Sequence, residues 1–242
     1  MLFVTSWDDG HPQDLRIADM LARYGFRGTF FVPGRNGEGR AVLDPAQRRQ
    51  LHGGFEIGSH TLDHAYLPPL DAGQRRHQIV AGKDALEQQL GEPVAGFCYP
   101  GGRYDRPILR EVASAGFRYA RTIENFRIEA GTAPFEVPTS AQFYPHRRSV
   151  LAINLFKRGQ YRLRAAGAAN MMAPGDWENR LRRLARTCAE RDGVFHIWGH
   201  SWEIAELDLW AALDRLLAAV AEMRPRVATV GELADGMRST PS

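Results

Sequence analysis

LFVTSWDDGHPQDLRIADMLARYGFRGTFFV, residues 2–32, reads as strand, helix, strand. Leu2 to Trp7 is a β-rich run. From Gln13 to Tyr24 the apolar residues Leu15, Ile17, Ala18, Leu21 and Ala22 fall close to one helical stripe. Gly25 ends the helix, and Gly28 to Val32 forms the next strand. The alternation repeats outward. A short helix over Pro45–Gly53 leads to a strand at Phe55–Ser59. A long helix over Asp71–Leu90 has Asp71 as its cap and Gly91 just past its end. A strand follows at Val94–Tyr99, then a helix from Asp105 to Ala115, closed by Gly116. Strands are expected at Phe117–Ile123, Phe135–Thr139, Gly193–Trp198 and Arg226–Val230, with helices at Trp177–Arg191 and Leu207–Met223. Repeated alternation implies parallel strands joined by helical crossovers. With about seven or eight strands, a closed or nearly closed (β/α) barrel is expected. Between Gln142 and Gly175 the rhythm lapses into a loop-like stretch holding His146, Arg147, Arg148, Lys157, Arg158, Arg162 and Arg164. The absence of a repeat or a Gly/Ser linker predicts a single domain over 1–242.

Composition narrows the class. The chain has 242 residues, 44% hydrophobic and 24% charged, with a net charge of +3. It is too apolar and too weakly charged to be disordered. It has no apolar run of the roughly 18 residues that a membrane span needs. Cys98 and Cys188 cannot form a disulfide framework. Of the 31 Lys+Arg, only Lys83 and Lys157 are lysine. The arginines are scattered without a dense tract, so no nucleic-acid partner is expected. The N-terminus lacks a basic segment followed by an apolar one, which predicts a cytoplasmic protein.

Barrel chemistry lies at the carboxyl ends of the strands. The first strand ends in Asp8-Asp9-Gly10. Adjacent carboxylates raise one another's pKa unless a cation intervenes; a metal on one, with the other left as a base, is one reading, and a turn capping the next helix is the other. The third strand ends in His60-Thr-Leu-Asp63-His64. Two histidines four apart on a strand are too distant to share an ion, whereas a helical turn after His60 brings both rings to one face. The fourth ends in Tyr99-Pro100-Gly101-Gly102, a turn whose glycine lets a backbone N–H approach a ligand and hold an oxyanion. In His196-Ile-Trp-Gly-His200, period two puts both histidines on one face, His200 at the rim and His196 one layer deeper. Asp176, ahead of Trp177, is either a helix cap or a carboxylate that orients a histidine.

Together these strand ends resemble the polysaccharide deacetylase family, the NodB-homology domain of carbohydrate esterase family four. Thr5-Ser-Trp-Asp8-Asp9-Gly10 is similar to its first motif, Ser59-His60-Thr-Leu-Asp-His64 to its second and Tyr99-Pro100-Gly101-Gly102 to its third. Asp176-Trp177 and the His200 segment are similar to its fourth and fifth. The resemblance implies an α/β fold, the distorted (β/α)7 barrel of the NodB-homology type. It implies Asp8 as catalytic base and Asp9, His60 and His64 as ligands of a divalent metal, zinc first, with cobalt, nickel or manganese as alternatives. His200 becomes the acid, oriented by Asp176, and the Gly101 N–H the oxyanion donor; Tyr99, Pro100, Trp177 and Trp202 are expected to contact substrate. One departure is marked: Cys98 stands where the family's third motif has the arginine that braces the base. Bracing must then come from elsewhere, with Arg103 as the candidate, or be missing.

The implied activity is metal-dependent removal of acetyl from an N-acetylated carbohydrate. An O-acetyl esterase, a cyclic-ureide amidohydrolase and a non-catalytic glycan-binding domain are the competing readings. The arginines of 142–175 lead to the further expectation of an anionic substrate read by guanidinium forks.

Overall fold

β1 (Leu2–Asp8) is the strand around which the chain is organised. β7 (Val194–His200) runs parallel along its whole length, from Leu2 beside Val194 to Asp8 beside His200. The opposite edge of β1 is shared. β2 (Thr29–Val32) pairs with Ser6–Asp8, and β8 (Arg226–Ala228) pairs with Leu2–Val4. From β2 the sheet continues through β3 (Glu56–Ser59), β4 (Gly96–Cys98) and β5 (Tyr119–Arg121), all parallel. On the far side β6 (Ala141–Gln142) pairs with β7. Val137 bridges to Arg121 of β5, and Ala141 pairs with Ile197 of β7, so segment 137–142 spans the gap between the two ends of the sheet. The result is the expected α/β architecture, a distorted (β/α) barrel. The computed structural model describes residues 1–158 and 160–238.

The helices are α1 (Asp14–Arg23), α2 (Pro45–His52), α3 (Ala72–Leu90), α4 (Arg106–Ser114), α5 (Arg148–Arg158), α6 (Tyr161–Met172), α7 (Trp177–Glu190), α8 (Ser201–Glu206), α9 (Trp210–Glu222) and α10 (Val230–Arg238). Their ends follow local chemistry. Asp71 accepts from Gln74 N while the Gln74 side chain returns to Asp71 N, a reciprocal cap that satisfies donors otherwise orphaned at the start of α3. Gly91 closes that helix at φ 75°, backbone that glycine adopts without steric cost. The apolar faces bury against the sheet, where Phe3, Trp7, Phe30, Phe97 and Phe195 are fully buried.

Two expectations need correction. Phe135–Thr139 is not a strand. Pro134 opens a 3-10 turn, Pro138 has no N–H to give a ladder, and the strand starts only at Ala141. Nor is 142–175 a loop: α5 and α6 form a helical hairpin. Leu151 and Leu155 of α5 face inward at i and i+4. α6 is rich in alanine and methionine, strong helix formers that leave little periodic contrast to read. α8 and α10 are likewise additions: α8 continues from β7 with no intervening loop.

α3 fixes the loop after β3. Gln78 O accepts from Leu62 N at 2.9 Å, and the Gln78 side chain bonds Asp63 at both N and Oδ2. Gly82 lets this contact close, since a Cβ there would lie 2.7 Å from Leu62 N and from Thr61 C. Gly82→Ala gains up to about 1 kcal/mol of helix propensity but forces apart two backbones, an overpacking cost of about 1–3 kcal/mol. The variant should therefore unfold at a lower denaturant midpoint than the native chain; a higher midpoint would show that the loop yields freely.

Candidate active site

The turn after β1 separates two neighbouring carboxylates. Asp9 has φ 76° and Gly10 φ 57°, left-handed backbone that aspartate tolerates better than most residues. Asp8 points into the barrel. Its Oδ1 accepts from the Arg121 guanidinium at the end of β5, and its Oδ2 lies 3.8 Å from the Cys98 thiol. Arg121 is fully buried, with the Phe31 and Trp198 ring centroids 5.2 and 5.0 Å from its guanidinium carbon. Asp9 points across the mouth of the barrel. Its Oδ2 accepts from Trp202 Nε1 at 2.8 Å.

His60 and His64 meet Asp9 from the opposite wall. The chain bends rather than turning helical after His60: Thr61 at φ 68° and His64 at φ 56° fold it back, leaving the two ring centroids 5.0 Å apart. His60 Nδ1 donates to Cys98 O at 2.8 Å, so its Nε2 is turned toward Asp9 Oδ1, 3.6 Å away. His64 Nε2 lies 3.1 Å from the same oxygen. Burial pushes the Asp9 carboxyl up, but the His64 bond and the charges of His200 and His60 outweigh it and hold it well below the usual carboxylate range. Burial pushes His60 down to about 4.

This donor set fits a divalent metal. Two imidazole nitrogens and a carboxylate oxygen lie within 4.8 Å of one another, and Asp9 Oδ1 is buried with no well-aligned hydrogen-bond donor. Three protein ligands in an open cleft are the arrangement that catalytic zinc uses. Asp8, His60 and Cys98 are equally close together. They suit an ion less well, because Arg121 already occupies Asp8 and burial pushes the Cys98 thiol well up, keeping it protonated.

A cleft of about 270 Å³ joins these groups to Glu38, Arg40, Tyr66, Gly101, Ile123, Trp198, His200 and Trp202. Gly101, at φ 61°, faces Tyr66; a Cβ there would lie 2.5 Å from that ring. His200 is at the end of β7, its Nδ1 2.7 Å from Glu203 Oε2 and its Nε2 4.0 Å from Asp9 Oδ2. Burial pulls the His200 pKa down, but the Glu203 bond and the charges of Asp9, Glu203 and Asp8 outweigh it and lift it to about 9. His196 is one layer deeper, as expected. It bonds Ser6 Oγ and Pro138 O at 2.9 Å each, and burial lowers its pKa to about 3.

Several expected residues lie elsewhere. Asp176 is an exposed helix cap, bonded to Asn179 at both N and Nδ2, and Glu203 takes the place beside His200 assigned to it. Trp177 packs on Phe143. Tyr99 is fully buried, its hydroxyl donating to Phe135 O and its ring stacked on Tyr104, and Pro100 is buried too; none of these lines the cleft. Arg103 lies over the Tyr66 ring, so the brace on Asp8 is Arg121. Arg164 is buried and donates to Asn125 O, Asn154 O and Leu155 O. Arg147, Arg148 and Arg162 are exposed away from the cleft lining, and the side chains of Lys157 and Arg158 lie outside the described residues. Two missed residues carried a readable signal. Arg121 is a charged residue at a strand end, and Glu203 is three residues past His200.

A parallel barrel with one carboxylate and two histidines gathered in its mouth defines the class. The family model for polysaccharide deacetylase matches residues 2–120. By that match residues 2–120, the amino-terminal half of the chain, are of the polysaccharide deacetylase type. It is 28% identical over 120 residues to a peptidoglycan-N-acetylglucosamine deacetylase of Bacillus cereus, a match covering 48% of this chain and 54% of that protein. It is 33% identical over 91 residues to a chitin deacetylase of Pestalotiopsis, covering 37% of this chain and 30% of that one. The chain thus spans about half, or less, of the length of the curated relatives it matches. Its fold is shared with a polysaccharide-deacetylase-type protein from Mycobacterium smegmatis (TM-score 0.69, 19% identity, 99% of this chain and 92% of that one). It is shared also with an acetyl xylan esterase from Clostridium thermocellum in complex with a cobalt ion (TM-score 0.60, 18% identity, 100% and 93%).

The Asp8–Arg121 pair makes a thermodynamic prediction. Arg121→Met leaves a buried carboxylate without its cation and should cost about 3–5 kcal/mol. Adding Asp8→Asn should recover much of that loss in urea unfolding. A double variant no more stable than Arg121→Met alone would mean that the arginine contributes by packing between its two rings.

Proposed function

We propose that this protein is a metal-dependent deacetylase of N-acetylated carbohydrate. One observation carries the reading: a single cleft holds a buried carboxylate oxygen facing two imidazole nitrogens, with Asp8 and His200 on adjacent strands at the same register. Asp9, His60 and His64 would hold the ion, which supplies Lewis acidity to a water and to the acetyl carbonyl.

The chain's own residues divide the remaining work. Asp8, fixed by Arg121, takes the proton from the water that attacks the acetyl carbon. The Gly101 N–H donates to the oxygen that gains charge in the tetrahedral transition state. His200 gives its Nε2 proton to the departing amine. Glu203 accepts from Nδ1, which keeps Nε2 toward the cleft and favours the charged ring. Trp202 orients Asp9 through its indole N–H and forms part of the cleft wall, so its expected substrate contact and its bond to Asp9 are compatible. A binding module has no use for a braced base opposite a cationic histidine, which disfavours the non-catalytic reading.

Acetate release from N-acetylglucosamine oligomers, measured beside release from O-acetylated xylan, tests the reaction. Acetate from the second substrate alone would replace this reading by the esterase. His60→Ala should lose tight metal binding by elemental analysis. Asp8→Asn should keep the metal and lose about 10²–10⁴-fold in kcat; near-normal turnover would leave Asp8 a structural residue only.

The pH profile follows from His200. The group acts while protonated and Glu203 favours its charged form, so activity should fall on an alkaline limb as His200 loses its proton. Glu203→Gln removes the anion that favours the imidazolium, so the alkaline limb should move to lower pH. An unchanged limb would detach His200 from the acid role.

A further inference from the structure

We propose that the α5–α6 hairpin docks on the surface of an anionic lipid bilayer. Seven large apolar residues are exposed among the described residues, and five of them are on this hairpin: Val150, Ile153, Phe156, Tyr161 and Leu163. Phe156 is 70% exposed. α5 is apolar on two sides. Leu151 and Leu155 face the barrel, while Val150, Ile153 and Phe156 recur at i, i+3 and i+6 on the outside. A helix apolar nearly all round belongs in a buried setting, yet here one stripe has no protein against it. The Phe156 and Tyr161 rings lie 6.2 Å apart across the turn, so the exposed apolar surfaces of the two helices meet at the tip.

Charge selects the occupant. From Val137 to Gly175 the sequence has no aspartate or glutamate, while it has Arg147, Arg148, Lys157, Arg158, Arg162 and Arg164. Arg164 is spent inside, tying the carboxyl end of α5 to α6. Arg147, Arg148 and Arg162 are exposed, and none has an ion-pair partner among the described residues. Exposed apolar side chains on a hairpin whose exposed charges are all cationic are the pattern of an interfacial helix on anionic lipid. A second copy fits poorly, because it would bring the same unpaired cations face to face. No helix among the described residues is long and apolar enough to cross a membrane, so the contact is peripheral.

The hairpin leaves the barrel at its catalytic end. β6 ends at Gln142, whose Nε2 donates to Glu203 Oε2 beside His200 and whose Oε1 is 2.8 Å from His146 Nε2, two residues before α5. The tip itself lies toward the other end of the strands: Gln160 beside it accepts from Arg127, next to the Ile128 whose carbonyl meets Val194 at the start of β7. The proposal stands on this surface and not on the deacetylase reading, since vesicle binding is measured without substrate.

The test is sedimentation of the full chain with vesicles of phosphatidylcholine alone or mixed with phosphatidylglycerol. The native protein should sediment with the mixed vesicles, weakly with the neutral ones, and less as salt is raised. Arg147→Ala/Arg148→Ala/Arg162→Ala should lower partition on mixed vesicles on the order of 100-fold. Ile153→Asp/Phe156→Asp should abolish it at every salt concentration, with the native melting temperature retained because both side chains are exposed. Phe156→Ser, a milder change at the tip, should weaken it as well. Native protein left in the supernatant with mixed vesicles would overturn the proposal. So would binding indifferent to both sets of substitutions, or a native dimer that Ile153→Asp/Phe156→Asp converts to monomer, which would identify a second copy as the occupant.

Discussion

Two carboxyl groups adjacent in sequence, at the end of a strand paired on both edges, each need a positive partner, and most of the barrel's mouth is arranged to provide one. The left-handed backbone at Asp9 sends the two side chains to different places. Asp8 finds a guanidinium held between two aromatic rings; Asp9 finds two imidazoles and an indole N–H. Without that turn both groups would compete for one environment.

The same division explains the departure at the third motif. Cys98 and Arg121 are register partners on neighbouring strands. A thiol at 98 cannot brace a carboxylate with charge, and an arginine one strand further on reaches the other oxygen of the same carboxylate. His200 shows parallel logic: the exposed cap Asp176 is out of place, and Glu203 holds Nδ1 because β7 runs straight into α8, bringing residue i+3 back over the histidine. Both cases place a like-charged partner at a different position from the one expected, which is possible because a barrel rim offers several backbone positions within side-chain reach of one point.

The local sequence determined much of this. Strand–helix alternation, the caps at Asp71 and Asp105, the stop at Gly91 and the polar ends of β1, β3 and β7 that line the cleft were all legible, because each depends on periodicity or turn chemistry within a few residues. His196 could be assigned to the interior by counting in twos along a strand. What the sequence could not convey was partnership across the sheet. Arg121 is 113 residues from Asp8, and Glu203 and Asp176 are both plausible neighbours of His200 until the chain is folded. The α5–α6 hairpin eluded a reading based on periodicity because its helices are apolar on more than one side, which removes the contrast that marks a helix. Only the tertiary structure decided which long-range charges meet, since Coulomb and hydrogen-bond terms act over ångströms in space and carry no signature in sequence separation.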